Sequence, residues 1–267
     1  MYKRQKIFRL LDLPEEERGG QPVPQDCSLR CQGVRFSYGE GRDVLTGVNL
    51  ECPQGSFVAL VGESGCGKST LGRVFLQESD YHGSIRIGGK ELSGMTQEEI
   101  SGAVGYMGHQ PELISADIEE NILLGDEENA LKYLRAVRME EETAKMPDGI
   151  HTLVGNGGVR LSGGQQARIA LARTLCHRKP VMILDDPFSA VDKETEKEIM
   201  KNLREMARDS VVLLLTHRLT LFPEMNQVLW MADGRVTVSC HEELMKANAA
   251  YANLYRMQEK GGGKHEV

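Results

Sequence analysis

Gly62, Glu63, Ser64, Gly65, Cys66, Gly67, Lys68, Ser69 and Thr70 follow one another in the order G-x-x-x-x-G-K-[ST], the spacing of a loop that cradles phosphates. Its glycines let backbone N–H groups turn inward around the α- and β-phosphates of a nucleotide. Lys68 supplies a point charge to the β/γ oxygens, and Ser69 a hydroxyl ligand for Mg2+. That magnesium needs an acidic partner. Val181-Met-Ile-Leu-Asp185 offers one at the end of an apolar run, and Asp186 follows directly. A carboxylate so placed is desolvated unless an ion compensates it, which puts Asp185 on the metal or its water shell. Asp186 has two readings: a solvated strand-end acid, or the carboxylate that orients or deprotonates an attacking water.

A phosphate loop works only between a strand and a helix. Phe57 to Val61 is an apolar run that stops at Gly62, and a helix is predicted from Lys68 through Leu76. Further strands are predicted at Leu29 to Phe36, Val44 to Leu50, Ser84 to Ile87, Val104 to Met107, Val181 to Leu184, Val211 to Leu215 and Val228 to Met231. Helices are predicted at Gly163 to Cys176, Glu194 to Met206 and Glu242 to about Met257. Between Asp117 and Met146, Ile118, Ile122, Leu131, Leu134 and Val137 recur at helical spacing among charges, which reads as a helical insertion. The alternation of the final third predicts an α/β core with a mainly parallel sheet.

Composition narrows the function. The 267 residues carry 32 Lys+Arg against 39 Asp+Glu, a net charge of -7, and only 5% are aromatic. That balance argues against a chain that coats nucleic-acid phosphates or stacks on bases, so no nucleic-acid partner is expected. No apolar run approaches the roughly 20 residues that cross a bilayer. The six cysteines show neither a CxxC pair nor a His/Cys cluster at zinc spacing, and read as small apolar residues of a reducing compartment. Residues 1 to 26, with Pro14, Gly19, Gly20, Pro22 and Pro24 breaking any helix, read as a tether.

Leu161-Ser162-Gly163-Gly164-Gln165-Gln166 lies between the phosphate loop and the Asp185 strand. Ser162 can cap the helix that begins near Gly163, leaving glycine N–H groups and a helix dipole directed at an anion. With the other motifs in this order, the sequence resembles the nucleotide-binding domains of ABC transporters over nearly its whole length. The resemblance implies a RecA-like P-loop NTPase core with a mainly parallel sheet, an antiparallel β subdomain and a helical insertion subdomain near residues 110–165. It implies ATP and Mg2+ as ligands, Tyr38 stacking on adenine, Ser189-Ala190-Val191-Asp192 as the D-loop, and His217 as the switch histidine at the γ-phosphate. It also implies a second such domain, paired head-to-tail so that each phosphate loop faces the other's Leu161-to-Gln165 signature.

The opening Ile7-Phe-Arg-Leu-Leu-Asp-Leu-Pro, the segment Met146 to Gly155 and the close through Tyr255 resemble exporters in which membrane and ATPase domains share one polypeptide. Residues 1–26 are then a linker from transmembrane domains, and residues 27–267 a nucleotide-binding domain at the cytoplasmic face of the membrane. An importer ATPase and an ATP-binding regulatory module are the alternatives. Three positions depart from the exporter pattern. Asp186 stands where the family most often has Glu. In Tyr106-Met-Gly-His109-Gln110-Pro111 the family's spacing puts the Q-loop glutamine on His109: either His109 replaces the magnesium and water ligand, or the loop slips and Gln110 does the work. Asn156 stands where exporters commonly carry an acidic residue. These departures fall around this chain's own ATP while its signature is intact. A slow site in an asymmetric heterodimer is expected, with a homodimer the alternative.

Overall fold

The computed structural model describes residues 27–38, 43–63, 65–78, 80–155, 158–188, 191–232 and 234–261. The tether read over residues 1–26, and Ser64, Asn156, Ser189 and Ala190, lie outside them.

Three runs, β3 (Phe57–Gly62), β7 (Val181–Asp185) and β8 (Val211–Leu215), are buried at every position. Such continuous apolar runs are stable only as inner strands of a sheet covered on both faces. They sit in a six-stranded sheet ordered β10-β9-β3-β8-β7-β6, with β6 at Val104–Met107, β9 at Gln227–Ala232 and β10 at Arg235–Ser239. Strands β9, β3, β8, β7 and β6 pair in parallel, and β10 closes one edge antiparallel to β9.

Strand alternation divides the core in two. Ala59, Val61, Met182, Leu184, Val212 and Leu214 face one cluster, where they meet Ile169 and Leu171 of α6 (Gly163–Cys176) and Ile199 and Leu203 of α7 (Lys193–Met206). Val58, Leu60, Ile183, Leu213 and Leu215 face the other, against Leu71 and Val74 of α1 (Lys68–Val74). That second cluster continues into an antiparallel sheet, ordered β2-β1-β4-β5, built from β1 (Leu29–Ser37), β2 (Asp43–Cys52), β4 (His82–Ile87) and β5 (Lys90–Glu91). The molecule is thus an α/β P-loop core of RecA type with an antiparallel subdomain and a helical one.

The helical insertion resolves into α3 (Ile118–Leu123), α4 (Ala130–Ala136) and α5 (Glu140–Ala144), preceded in the chain by α2 (Gln97–Ala103). Asp117 and Asn129 accept backbone N–H bonds at the starts of α3 and α4, which punctuates one predicted periodic stretch into separate helices. Leu131, expected on the apolar face, is exposed. Periodicity missed α2, which is set by a capping box between Thr96 and Glu99, and missed the short strands β5 and β10. The C-terminal helix divides into α8 (His241–Ala247) and α9 (Ala249–Gly261), because the Asn248 side chain accepts from Tyr251 N at 2.9 Å.

Asn121 fastens α3 to α6. Fully buried, its amide donates to Ile114 O and Asp117 O, while its Oδ1 accepts from Ile114 N at 2.9 Å and from Arg173 Nη2 at 2.7 Å. Arg173 also donates to the carbonyls of Asn121 and Glu112. Asn121→Ala removes the side-chain bonds to Ile114 N, Ile114 O, Asp117 O and Arg173, while Arg173 keeps its backbone partners, and is expected to lower unfolding free energy by about 2–4 kcal/mol. A urea unfolding curve measures this. A loss below about 0.5 kcal/mol, the size of an ordinary surface change, would contradict the role.

Candidate nucleotide site at the strand ends

In parallel sheets ligands bind beyond the carboxyl ends of the strands. Four adjacent strands here end in candidate groups: β3 in the phosphate loop, β8 in Thr216 and His217, β7 in Asp185 and Asp186, and β6 in Gly108, His109 and Gln110. The carboxyl end of the sheet therefore collects groups that are more than a hundred residues apart in sequence.

The loop backbone follows a path that needs glycine. A methyl group on Gly62 would lie 2.2 Å from the Met231 carbonyl oxygen, so only glycine lets the two backbones approach. Gly67 has φ +107, a conformation other residues rarely hold. Lys68, buried, folds back so that Nζ donates to Gly62 O and Glu63 O, both at 2.9 Å. Its third contact is the Cys66 sulfur at 3.8 Å, a weak acceptor, so the ammonium is ready to exchange these partners for phosphate oxygens. Ser69 is exposed at the start of α1, and Thr70 Oγ1 lies 3.1 Å from the hydroxyl of Tyr38. The Tyr38 ring stands edge-on to Phe36 and is itself largely exposed beside the loop, open to a planar ligand.

Asp185 is buried, and its Oδ2 accepts from the Tyr106 hydroxyl at 3.2 Å. Burial and the neighbouring Asp185 carboxylate push the Tyr106 phenol up to about 12, so it stays a donor throughout the ordinary pH range. A carboxylate at the end of β7 and a serine hydroxyl at the start of α1 are hard oxygen donors, of the kind that fits Mg2+.

Asp186 is held by its neighbours. Its backbone is left-handed at φ +52, its N–H donates to Leu215 O at 2.7 Å, and its Oδ1 accepts from Thr216 Oγ1 at 3.3 Å. The other oxygen, Oδ2, lies 3.7 Å from His109 Nδ1. The strand ends thus bring His109 and Asp186 together. Gln110 joins His109 in lining a cleft of about 930 Å³ that extends to Leu161, Gly163 and Gln166. His217 is exposed, and its carbonyl accepts from Gln258 at 2.5 Å, which ties the β8 end to α9.

The signature begins α6 as its residue types require. Ser162 Oγ accepts from Gln165 N, and Gln165 Oε1 accepts from Ser162 N at 2.9 Å, a capping box. Leu161 and Gly164 are buried, whereas Ser162 and Gly163 face outward, with open space beyond Gly163. The Gln165 amide is committed to this cap and to Glu142, at 3.0 Å. Asp192 caps α7 through the N–H groups of Glu194 and Thr195, and the Thr195 hydroxyl, with these N–H groups, holds its carboxyl below the usual range. The Val191 carbonyl accepts from Arg218, whose guanidinium also pairs at 3.0 Å with the buried Glu196. Tyr106 and Arg218 escaped the sequence reading. Tyr106 could have been found by alternation in β6, and Arg218 only by contact across the fold.

Residues 45–189, more than half of the 267, match the family model described as ABC transporter. This chain belongs to the ABC transporter family. As an ABC nucleotide-binding domain it is 34% identical over 265 residues to an ATP-dependent lipid A-core flippase of Chromohalobacter salexigens, covering 95% of this chain and 45% of that protein. It is 32% identical over 243 residues to the mitochondrial iron-sulfur clusters transporter ABCB7 of Oryzias latipes, covering 88% and 33%. Among solved structures it resembles a bacterial Atm1-family ABC exporter with ATP bound, at TM-score 0.85 and 29% identity over 97% of this chain and 47% of that one. The ABC domain spans less than half the length of these relatives. No helix among its described residues is long and apolar enough to cross a membrane.

Proposed function

We propose that this domain is the ATP-binding and ATP-hydrolysing motor of an ABC exporter, at the cytoplasmic face of a membrane and coupled to transmembrane domains. The observation that carries the proposal is the convergence of a glycine-shaped cradle, a buried cation, a buried carboxylate and the His109–Asp186 pair at the carboxyl end of the sheet. The outward-facing start of α6 supports the second half of the reading: Ser162 and Gly163 offer their N–H groups to a ligand held by another domain. ATP would lie between two such domains paired head-to-tail. The residues 27–267 form the motor and residues 1–26 its linker to the membrane part. The relatives are a flippase, a transporter and an exporter, which favours export over import.

Ser69 and Asp185 would hold Mg2+, which when bound offsets charge on the phosphate oxygens. Imidazole nitrogen is a poor donor for so hard a cation. His109 therefore acts through Asp186 and the water beside it rather than as a metal ligand, with Gln110 one position further along the loop. His217 contacts the γ-phosphate and Tyr38 stacks on the base. Lys68 and the loop N–H groups bind, and Asp186 is the group that would take the water's proton. Asp186 is one methylene shorter than Glu and is turned toward His109, so its reach to that water is reduced. The site binds ATP and turns it over slowly, which suits an asymmetric heterodimer in which this signature completes the faster site on a partner.

The test pairs equilibrium ATP binding with steady-state hydrolysis by the purified chain. Expected are clear Mg2+-dependent binding and turnover below about 0.1 per second, against the roughly 1–10³ per second of ordinary enzymes. Absence of binding overturns the motor reading, and turnover within the ordinary range overturns the slow site. Native mass of the assembly in membranes separates heterodimer from homodimer.

A further inference from the structure

Far from the strand ends, the C-terminus of α6 meets the loop between α3 and α4. Cys176 closes the helix, His177 follows it, and Asp126 lies fifty positions earlier on the facing loop. The thiol sulfur, a ring nitrogen and a carboxylate oxygen of these residues all lie within 4.8 Å of one another. Sequence spacing gives no hint of the group, because one of its members is a carboxylate and the fold alone brings it near.

The histidine shows what the group is arranged for. His177 Nε2 lies 3.0 Å from the Ile122 carbonyl, which can only accept, so Nε2 carries a proton. In the neutral ring Nδ1 is then unprotonated, and it lies 3.1 Å from Asp126 Oδ2. Two lone pairs do not face each other at that distance without a cation between or upon them. An imidazole that donates one N–H to a backbone carbonyl and turns its other nitrogen to further ligands is oriented as metal-binding histidines are. The Cys176 thiol, half-buried, lies with Asp126 and His177.

We infer that Asp126, Cys176 and His177 form a site for a divalent cation of the zinc class. A thiolate, an imidazole and a carboxylate are a borderline-soft set, unlike the oxygen donors that magnesium or calcium takes. Three protein ligands leave a fourth tetrahedral position for water. Bonds of about 2.0–2.3 Å place tetrahedral ligands roughly 3.3–3.8 Å apart, so the present separations must close by about 1 Å. Asp126, exposed on its loop, can make that adjustment. Binding breaks the Cys176 S–H bond, releases its proton to solvent and forms a metal–sulfur bond. The cation would tie the last residue of the signature helix to the helical subdomain, fixing the far end of the element whose start faces the nucleotide.

Cobalt(II) titration of the purified chain, kept reduced, tests the site, because a thiolate ligand gives a sulfur-to-cobalt charge-transfer band that the oxygen ligands of Asp185 and Ser69 cannot. One equivalent is expected, displaced by zinc. Cys176→Ser and His177→Asn should abolish the band, and Asp126→Asn should weaken binding by about tenfold or more. Cys240→Ser, which disrupts the other adjacent Cys–His pair, should leave it unchanged. Zinc should raise the melting temperature of wild type by about 5–10 °C at a hundredfold excess over its Kd, and that of Asp126→Asn by about half as much or less at the same zinc concentration. No band in wild type, or a band that survives Cys176→Ser, overturns the site and leaves a simple His177–Asp126 ion pair. Should a helix variant fail to fold, Asp126→Asn on its exposed loop decides: undiminished binding overturns the site, and weakened binding supports it.

Discussion

Lys68→Ala is expected to weaken ATP binding by about a hundred- to a thousandfold. Each hydrogen bond from a charged group is worth about 1.5–3 kcal/mol, and an ammonium at the β/γ oxygens makes two of them, giving roughly 3–6 kcal/mol. At 1.4 kcal/mol per factor of ten that is about two to four powers of ten, and the lower half is expected because the same ammonium gives up its bonds to Gly62 O and Glu63 O. Without nucleotide the variant should lose only about 1–2 kcal/mol of stability, since Nζ is replaced by water at Glu63 O, on the exposed side of the loop, more easily than at Gly62 O. Lys68→Arg should not restore binding, because a planar fork does not fit where a compact ammonium is enclosed. Isothermal titration with Mg2+ and ATP, alongside melts of the apo protein, separates the two effects. Binding within threefold of wild type would mean that Lys68 serves the fold and not the phosphates.

Asp186→Glu combined with His109→Gln is expected to raise ATP turnover by about 10–100-fold, at or below the low end of the roughly 10²–10⁴-fold that a well-placed general base contributes, because Asp186 already supplies part of it. Restoring a methylene extends the carboxylate by about 1.5 Å, on the scale that separates a base within about 3 Å of its proton from one that is not. The single Asp186→Glu variant should gain less. With Asp186 Oδ2 already 3.7 Å from His109 Nδ1, the longer chain runs into the histidine ring. Position 186 is also left-handed, a conformation that Asp tolerates better than Glu. A double-mutant cycle on turnover should therefore show coupling of at least about 1 kcal/mol between the two positions. If neither the single nor the double variant gains activity, Asp186 does not limit the site. If the gains simply add, His109 does not act through it.

Much of this machinery was legible because it depends on local chemistry. The glycines at 62 and 67 are demanded by backbone approach and by φ. The Ser162 cap is a contact between residues three apart, and the runs ending at Gly62, Asp185 and Leu215 declare themselves as inner strands by being apolar throughout. Where the reading failed, the missing term was distance in space. β10 is an edge strand whose mostly exposed residues show no apolar run, and Leu131 fits a helical stripe that the subdomain leaves uncovered. Of the cysteines read as small apolar residues, only Cys31 and Cys52 are buried with raised thiols, Cys52 to about 12. Cys66 and Cys176 are half-buried and pack against the core clusters, though Cys176 also faces His177 and Asp126, Cys27 is half-buried, and Cys240 is exposed.

The sequence by itself determined that a nucleotide's phosphates have a cradle here, which strand carries the acidic pair, and which helix starts with a capped, glycine-rich turn, since each is a bond between near neighbours in the chain. Only the tertiary structure decided that His109 is the neighbour of Asp186, that Tyr106 supports Asp185, that Arg218 joins the D-loop to α7, and that Asp126 meets Cys176 and His177. The reason is physical: strand order and helix packing, driven by burial of apolar faces, choose which polar groups become neighbours, and apolar periodicity does not record that choice.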